Sequence, residues 1–215
     1  MADLSRLYDA VLNGDAKAAA AVTQEALAGG MDPLTLITGT MVPAMDEVGN
    51  RYECEEYFVP ELLLSARAMK ASMELLRPLL VASGAEPAGR VAIGTVKGDL
   101  HDIGKNLVAA MLEGAGFEVI DLGADVPPEK FIHAIQEKKA GIVCLSALLT
   151  VTMPSMKMTI EALKSAGVRD QVKVLVGGAP VTQQFADQIG ADGYGETANS
   201  AVQLARQLSG VQAST

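Results

Sequence analysis

From residue 90 onward the chain repeats one pattern five times: a short β-branched run, a polar or glycine-rich break, then a helical stretch. The runs are "RVAIGTV" (90–96), "FEVIDLG" (117–123), "AGIVCLSA" (140–147), "VKVLVGG" (172–178) and the brief "DGYG" (192–195). The helical stretches lie near 103–115, 127–138, 153–166, 181–189 and 196–208. Strands this continuously apolar have no wet face, so the pattern predicts an α/β fold: an open, five-stranded parallel sheet covered by helices on both sides. Such a sheet holds a ligand beyond the carboxyl ends of its strands, where the strand order reverses. With the order 2-1-3-4-5, the loops after the first, third and fourth strands lie side by side. They would bring together His101, the segment Ser146 to Thr150, and Gly177 with Gly178.

The first 83 residues carry helical periodicity only. In "SRLYDAVLNGDAKAAAAVTQEALAGG" the "NGD" breaks one helix, Asp15 is placed to cap the next, and the glycine pair 29–30 closes it. An Asp-Pro start at 32–33 opens a third helix, bent at Pro43, and "VPELLLSARAMKASMELLRPLL" (59–80) forms a fourth with Pro60 in its first turn. Four helices joined by short turns predict a small antiparallel bundle. "VASGAEPAG" (81–89) lacks periodicity and reads as a linker that would act as a hinge. The expected organisation is a helical domain over 1–83, a linker over 84–90 and the sheet domain over 91–215.

Composition narrows the function. With 17 basic against 26 acidic residues the formal net charge is −9, which disfavours nucleic acid and anionic membrane surfaces as partners. The uncharged run 140–156 contains Ser, Thr and Pro and falls short of the roughly 20 apolar residues that a membrane span requires. The N-terminus does not read as a signal peptide, and two unlike cysteines, Cys54 and Cys144, suit a reducing cytoplasm better than a disulfide framework.

The loop "GTVKGDLHDIGKN" (94–106) holds one of only two histidines. Either Asp99 or Asp102 could accept from one nitrogen of His101, fixing the tautomer and making the other nitrogen the better metal donor. Equally, the two aspartates could cap the helix that follows and leave His101 solvated. Two His and two Cys at no metal-site spacing cannot form a zinc cage, but one histidine can serve a metal whose other positions a macrocycle fills. Gly177-Gly178 lets backbone approach a ligand closely, or simply makes a strand-to-helix turn. "SALLT" (146–150) offers two hydroxyls that need partners if buried. Neither a dinucleotide fingerprint nor a phosphate-binding loop is present. Tyr57, Phe58, Leu62 and Met69 form either bundle core or an apolar lid over a reactive centre. His133 reads as a partly exposed helix residue, and Cys54, among carboxylates, is a poor nucleophile candidate.

"DLHDIG" (99–104) resembles the Asp-x-His-x-x-Gly motif of B12-binding domains, and "SALLT" with "GG" (177–178) is similar to the Ser-x-Leu and Gly-Gly motifs of the same family. The segment before residue 83 looks like the helical cap that precedes such a domain in cobalamin-dependent methionine synthase and in the corrinoid proteins of methyltransferase systems. The resemblance implies a flavodoxin-like (Rossmann-type) cobalamin-binding domain behind a four-helix cap, with a corrinoid bound base-off and His-on. It implies His101 as the cobalt ligand, Asp99 as its hydrogen-bond partner, and Gly98, Asp102 and Gly104 as the rest of that loop. Ser146 would meet the displaced base, with Leu148 and Thr150 along the tail and Gly177 and Gly178 giving it room. Phe58 would cover the methyl face.

The same resemblance implies a non-catalytic methyl carrier. Its partners would be a substrate-specific methyltransferase for methylamine, methanol, betaine or aryl methyl ethers, an acceptor methyltransferase using tetrahydrofolate or coenzyme M, and a reductive activase. Rival readings are a B12-sensing regulator, which an acidic chain without a basic DNA-binding module disfavours, and the small subunit of an adenosylcobalamin mutase. A flavodoxin-like regulatory domain with no cofactor is the plainest alternative.

Overall fold

The computed structural model describes residues 4–83 and 88–210; residues 84–87 of the expected linker lie outside the described residues. Contacts group the described chain into two compact units, 4–83 with 110–116, and 88–109 with 117–210.

Helix α1 (Leu4–Leu12) buries Leu7, Ala10, Val11 and Leu12, one helical stripe. It stops at Gly14, whose φ of +73° and whose position both demand glycine, since a Cβ there would lie 2.5 Å from Cβ of Leu64. Asp15 then caps α2 (Ala16–Ala28) as expected, accepting from the amides of Lys17 and Ala18 at 3.1 and 2.9 Å. The third helix comes in three pieces: α3 (Pro33–Leu36), a π turn (Ile37–Met41) and α4 (Val42–Glu53). The bend expected at Pro43 takes this form because proline has no N–H to give the preceding turn. The ladder slips by one residue, with the Val42 amide donating to the Ile37 carbonyl. Helix α5 (Val59–Ser83) completes the unit.

Leu7, Val11, Val22, Met41, Met45, Leu62, Met69 and Leu76 form its aliphatic core, each side chain contributing ~1.5–3 kcal/mol by burial. Leu62 and Met69 are thus bundle core and not lid, whereas Phe58, just ahead of α5, is 63% exposed.

The chain goes on with β1 (Arg90–Thr95) and α6 (Ile103–Gly114), followed by β2 (Glu118–Asp121) and α7 (Pro128–Lys138). It continues with β3 (Ile142–Ser146), α8 (Pro154–Ser165), β4 (Lys173–Gly177), α9 (Gln183–Ile189), β5 (Gly193–Gly195) and α10 (Ala198–Ser209). The strands pair in parallel in the order β2-β1-β3-β4-β5 that the sequence predicts. Register places Thr95, Ser146, Gly177 and Gly195 in one row across four strands at the carboxyl rim. One sheet face packs Val143, Leu145, Val174 and Val176 against Phe131 of α7 and Met156, Ile160 and Leu163 of α8. Gly94 lets α7 come close, because a Cβ there would lie 2.9 Å from the Phe131 ring.

Candidate cofactor site at the carboxyl rim

Between β1 and α6 the chain runs from Val96 to Asp102 and turns at Gly98, whose φ is +86°. The loop closes on itself: the Thr95 hydroxyl donates to the His101 carbonyl at 3.0 Å, and the Asp99 amide to the Val96 carbonyl at 3.1 Å. This folding turns the Asp99 side chain inward until none of it is exposed.

The buried carboxylate is satisfied from two loops. Oδ1 accepts from the His101 amide at 3.0 Å and lies 2.8 Å from His101 Nδ1. Oδ2 accepts from the Thr152 hydroxyl at 2.6 Å, the Leu148 amide at 2.8 Å and, more weakly, the Leu149 amide at 3.4 Å. Burial by itself would push Asp99 up, but the Thr152 hydroxyl, the amides of His101 and Leu148 and the imidazole outweigh it and hold the carboxyl well below the usual range. An ionised carboxylate only accepts, so Nδ1 carries the proton. In the neutral form of that ring Nε2 has the lone pair, on a side chain that is 50% exposed.

Of the two aspartates that sequence reasoning left open, the structure therefore selects Asp99. It serves His101 and the loop after β3, and does not cap α6. Asp102 is exposed, and among the described residues nothing hydrogen-bonds its carboxylate. The buried hydroxyl sought in "SALLT" belongs instead to Thr152; Ser146 is half-buried, and Leu148 and Thr150 are exposed. No local pattern marked it, since residues 148–151 are all exposed and only Thr152 turns inward. Sequence reasoning also missed Asp125, which accepts from the Gly98 amide at 2.7 Å, and the pairing of Lys105 with Asp121.

The glycine pair has a role within the fold itself. A Cβ on Gly177 would lie 2.9 Å from the Gly195 carbonyl, and one on Gly178, at φ +124°, would collide with the Ala147 carbonyl oxygen. Gly104, in contrast, has no atom within 4 Å of a Cβ position and opens onto free space. His133 is exposed on α7. Burial in β3 pushes the Cys144 thiol up to about 12, which makes it a poor thiolate.

These residues can present one neutral imidazole nitrogen to a metal. Among the described residues no group of three or more His, Cys, Asp or Glu is placed to hold an ion, so any metal met by His101 brings its other ligands with it. The surroundings fit a large, flat, partly apolar carrier of that metal. In the second unit the exposed large apolar side chains among the described residues are Leu100, Ile103, Leu148, Leu149, Val151 and Met158, all from the His101 loop, the loop after β3 or the start of α8. No described helix is long and apolar enough to cross a membrane.

Two family models, each described as a B12 binding domain, match residues 89–203 and 4–77. A trimethylamine corrinoid protein of Methanosarcina acetivorans is 46% identical over 95% of this chain and 96% of its own length. Among solved structures, the methanol:cobalamin methyltransferase complex MtaBC from Methanosarcina barkeri contains a chain that superposes with a TM-score of 0.85. Identity is 31%, covering 98% of this chain and 80% of that one. A cobalamin-binding protein from Desulfitobacterium hafniense matches with a TM-score of 0.79 and 34% identity, over 97% of this chain and 99% of the other. A helical segment followed by a five-stranded parallel domain, both matched along nearly their full length, places the chain in the B12-binding family.

Proposed function

We propose that this chain is a corrinoid methyl carrier, holding a corrinoid base-off with its cobalt bonded from below by Nε2 of His101. The observation that carries the reading is the Asp99–His101 contact of 2.8 Å, which leaves a defined lone pair on a half-exposed ring amid an apolar apron. When bound, the corrinoid supplies a cobalt that takes up and gives away a methyl group. The chain's own residues orient and exclude: Asp99 holds the ring, and Leu100, Ile103, Leu148 and Val151 offer apolar surface to the macrocycle. Ser146, Thr150, Gly177 and Gly178 would line the displaced tail at the carboxyl rim. Gly98, Asp102 and Gly104 complete the loop beneath the ring, with Gly104 leaving it open space.

The relatives named for trimethylamine favour a methylamine-specific methyltransferase as the donor partner. A second methyltransferase would take the methyl group on, to tetrahydrofolate or a thiol such as coenzyme M, and a reductive activase would restore the cofactor after oxidation.

The test is reconstitution of the full chain with a corrinoid, in protein labelled with ¹⁵N-histidine. The cobalt(II) electron paramagnetic resonance spectrum should show one nitrogen whose splitting changes with the label, and His101→Gly should abolish that change while keeping the fold. A splitting insensitive to the histidine label would sink the reading.

A further inference from the structure

Lys105 lies in the first turn of α6, four residues after His101. An ammonium there meets the positive end of the helix dipole, an unfavourable place unless a carboxylate compensates. Its side chain is 1% exposed, whereas that of Asp121, at the end of β2, is 46% exposed. The lysine thus leaves water to reach a carboxylate that stays in it, with Nζ 2.6 Å from both carboxylate oxygens. Desolvating a lysine offsets much of what such a pair contributes, so stability alone is a weak reason for it.

The contacts beyond Asp121 supply a better one. Asp121 Oδ1 also accepts from the Gly123 amide at 2.9 Å, and the Gly123 carbonyl accepts from the Thr95 amide at 3.0 Å. The Thr95 hydroxyl in turn donates to the His101 carbonyl at 3.0 Å. Followed from Lys105, the chain of contacts returns to the segment it left and encloses residues 95–105. The loop after β2 adds a second brace through Asp125, whose amide donates to the Asp99 carbonyl at 2.9 Å while its carboxylate receives the Gly98 amide.

We infer that Lys105 is a positioning residue: clamped on Asp121, it fixes the start of α6 and so the segment that carries Asp99 and His101. On the function proposed above, which this inference deepens, the clamp holds the imidazole at the distance that a bond to cobalt requires. Lys105 touches neither His101 nor a ligand, and acts through the backbone between them.

Two readouts test it on the full chain. In the cofactor-free protein, Lys105→Met and Asp121→Asn should each speed hydrogen exchange at the Gly98 and His101 amides by about tenfold, while exchange in α8 stays unchanged. After reconstitution, the fraction of cobalt showing the ¹⁵N-histidine splitting should fall in both variants. The double variant should be no worse than Lys105→Met alone, because both changes remove one contact. Should the variants melt earlier yet keep wild-type exchange at Gly98 and His101 and the wild-type ligated fraction, Lys105 is merely structural and the inference fails. Asp121→Asn, altering a half-exposed group, decides the matter if Lys105→Met does not fold. A wild-type protein without the histidine splitting would overturn the carrier reading, and the exchange rates would still decide whether Lys105 positions the loop.

Discussion

In the helical unit the buried hydroxyls of Thr23 and Ser72 sit 2.9 Å apart, and Thr23 also reaches the Ala19 carbonyl one turn back at 2.8 Å. In the α/β unit a buried carboxylate, Asp99, is satisfied by donors from two loops that are far apart in sequence. The first arrangement also joins residues far apart in sequence, but it is neutral, and each hydroxyl could be lost without stranding a charge. The second is charged, and each donor is specified by the acceptor it meets. A bundle can tolerate its polar groups, but this rim is built around one.

The contrast predicts unequal costs. Gly178→Ala should be the most damaging, lowering unfolding free energy by ~3 kcal/mol or more, because the new methyl meets the Ala147 carbonyl in a left-handed backbone. A loss of less than about a third of that in denaturant unfolding would mean the rim yields more easily than the geometry implies. Asp99→Ala strands the Thr152 hydroxyl and the Leu148 amide and should cost about 3 kcal/mol, with a loss of corrinoid retention measured by gel filtration. Thr152→Val removes one donor and should cost about 1–2 kcal/mol, read from the same unfolding curves. Ser72→Ala in the bundle should cost about 1 kcal/mol or less, since Thr23 keeps the Ala19 carbonyl; an effect as large as that of Thr152→Val would erase the contrast.

Acid should separate the two units as well. Asp99 is held below its ordinary value, so the unfolded chain takes up the proton first, and folding loses stability as pH falls. The contribution should be complete above about pH 5 and decline progressively below about pH 4. Comparing melting of wild type and Asp99→Asn across that range checks the sign: the gap between them should narrow on acidification.

Much of this was legible in one dimension. The period changes from helical to alternating strand and helix near residue 90, and that change specified two kinds of unit, because a covered parallel sheet requires apolar runs separated by helices. "NGD" located a helix break and a cap, and Asp15 forms that cap. "DLHDIG" marked the family, and the comparisons agree. Less legible was which hydroxyl turns inward: Thr150 and Thr152 differ by two residues in a loop with no period, and only the position of the Asp99 carboxylate makes one of them buried. Gly177 and Gly178 read as room for a ligand, yet their neighbours are carbonyls of β5 and of the loop after β3, contacts that no local pattern reveals.

Local propensity and periodicity thus determined the elements, the parallel sheet and the rim on which His101 stands, since these depend on residues a few positions apart. Only the tertiary structure decided that Thr152 closes the site and that Lys105 reaches Asp121. Both rest on an atom brought from another strand or its loop to within 3 Å, and sequence spacing carries no record of such distances.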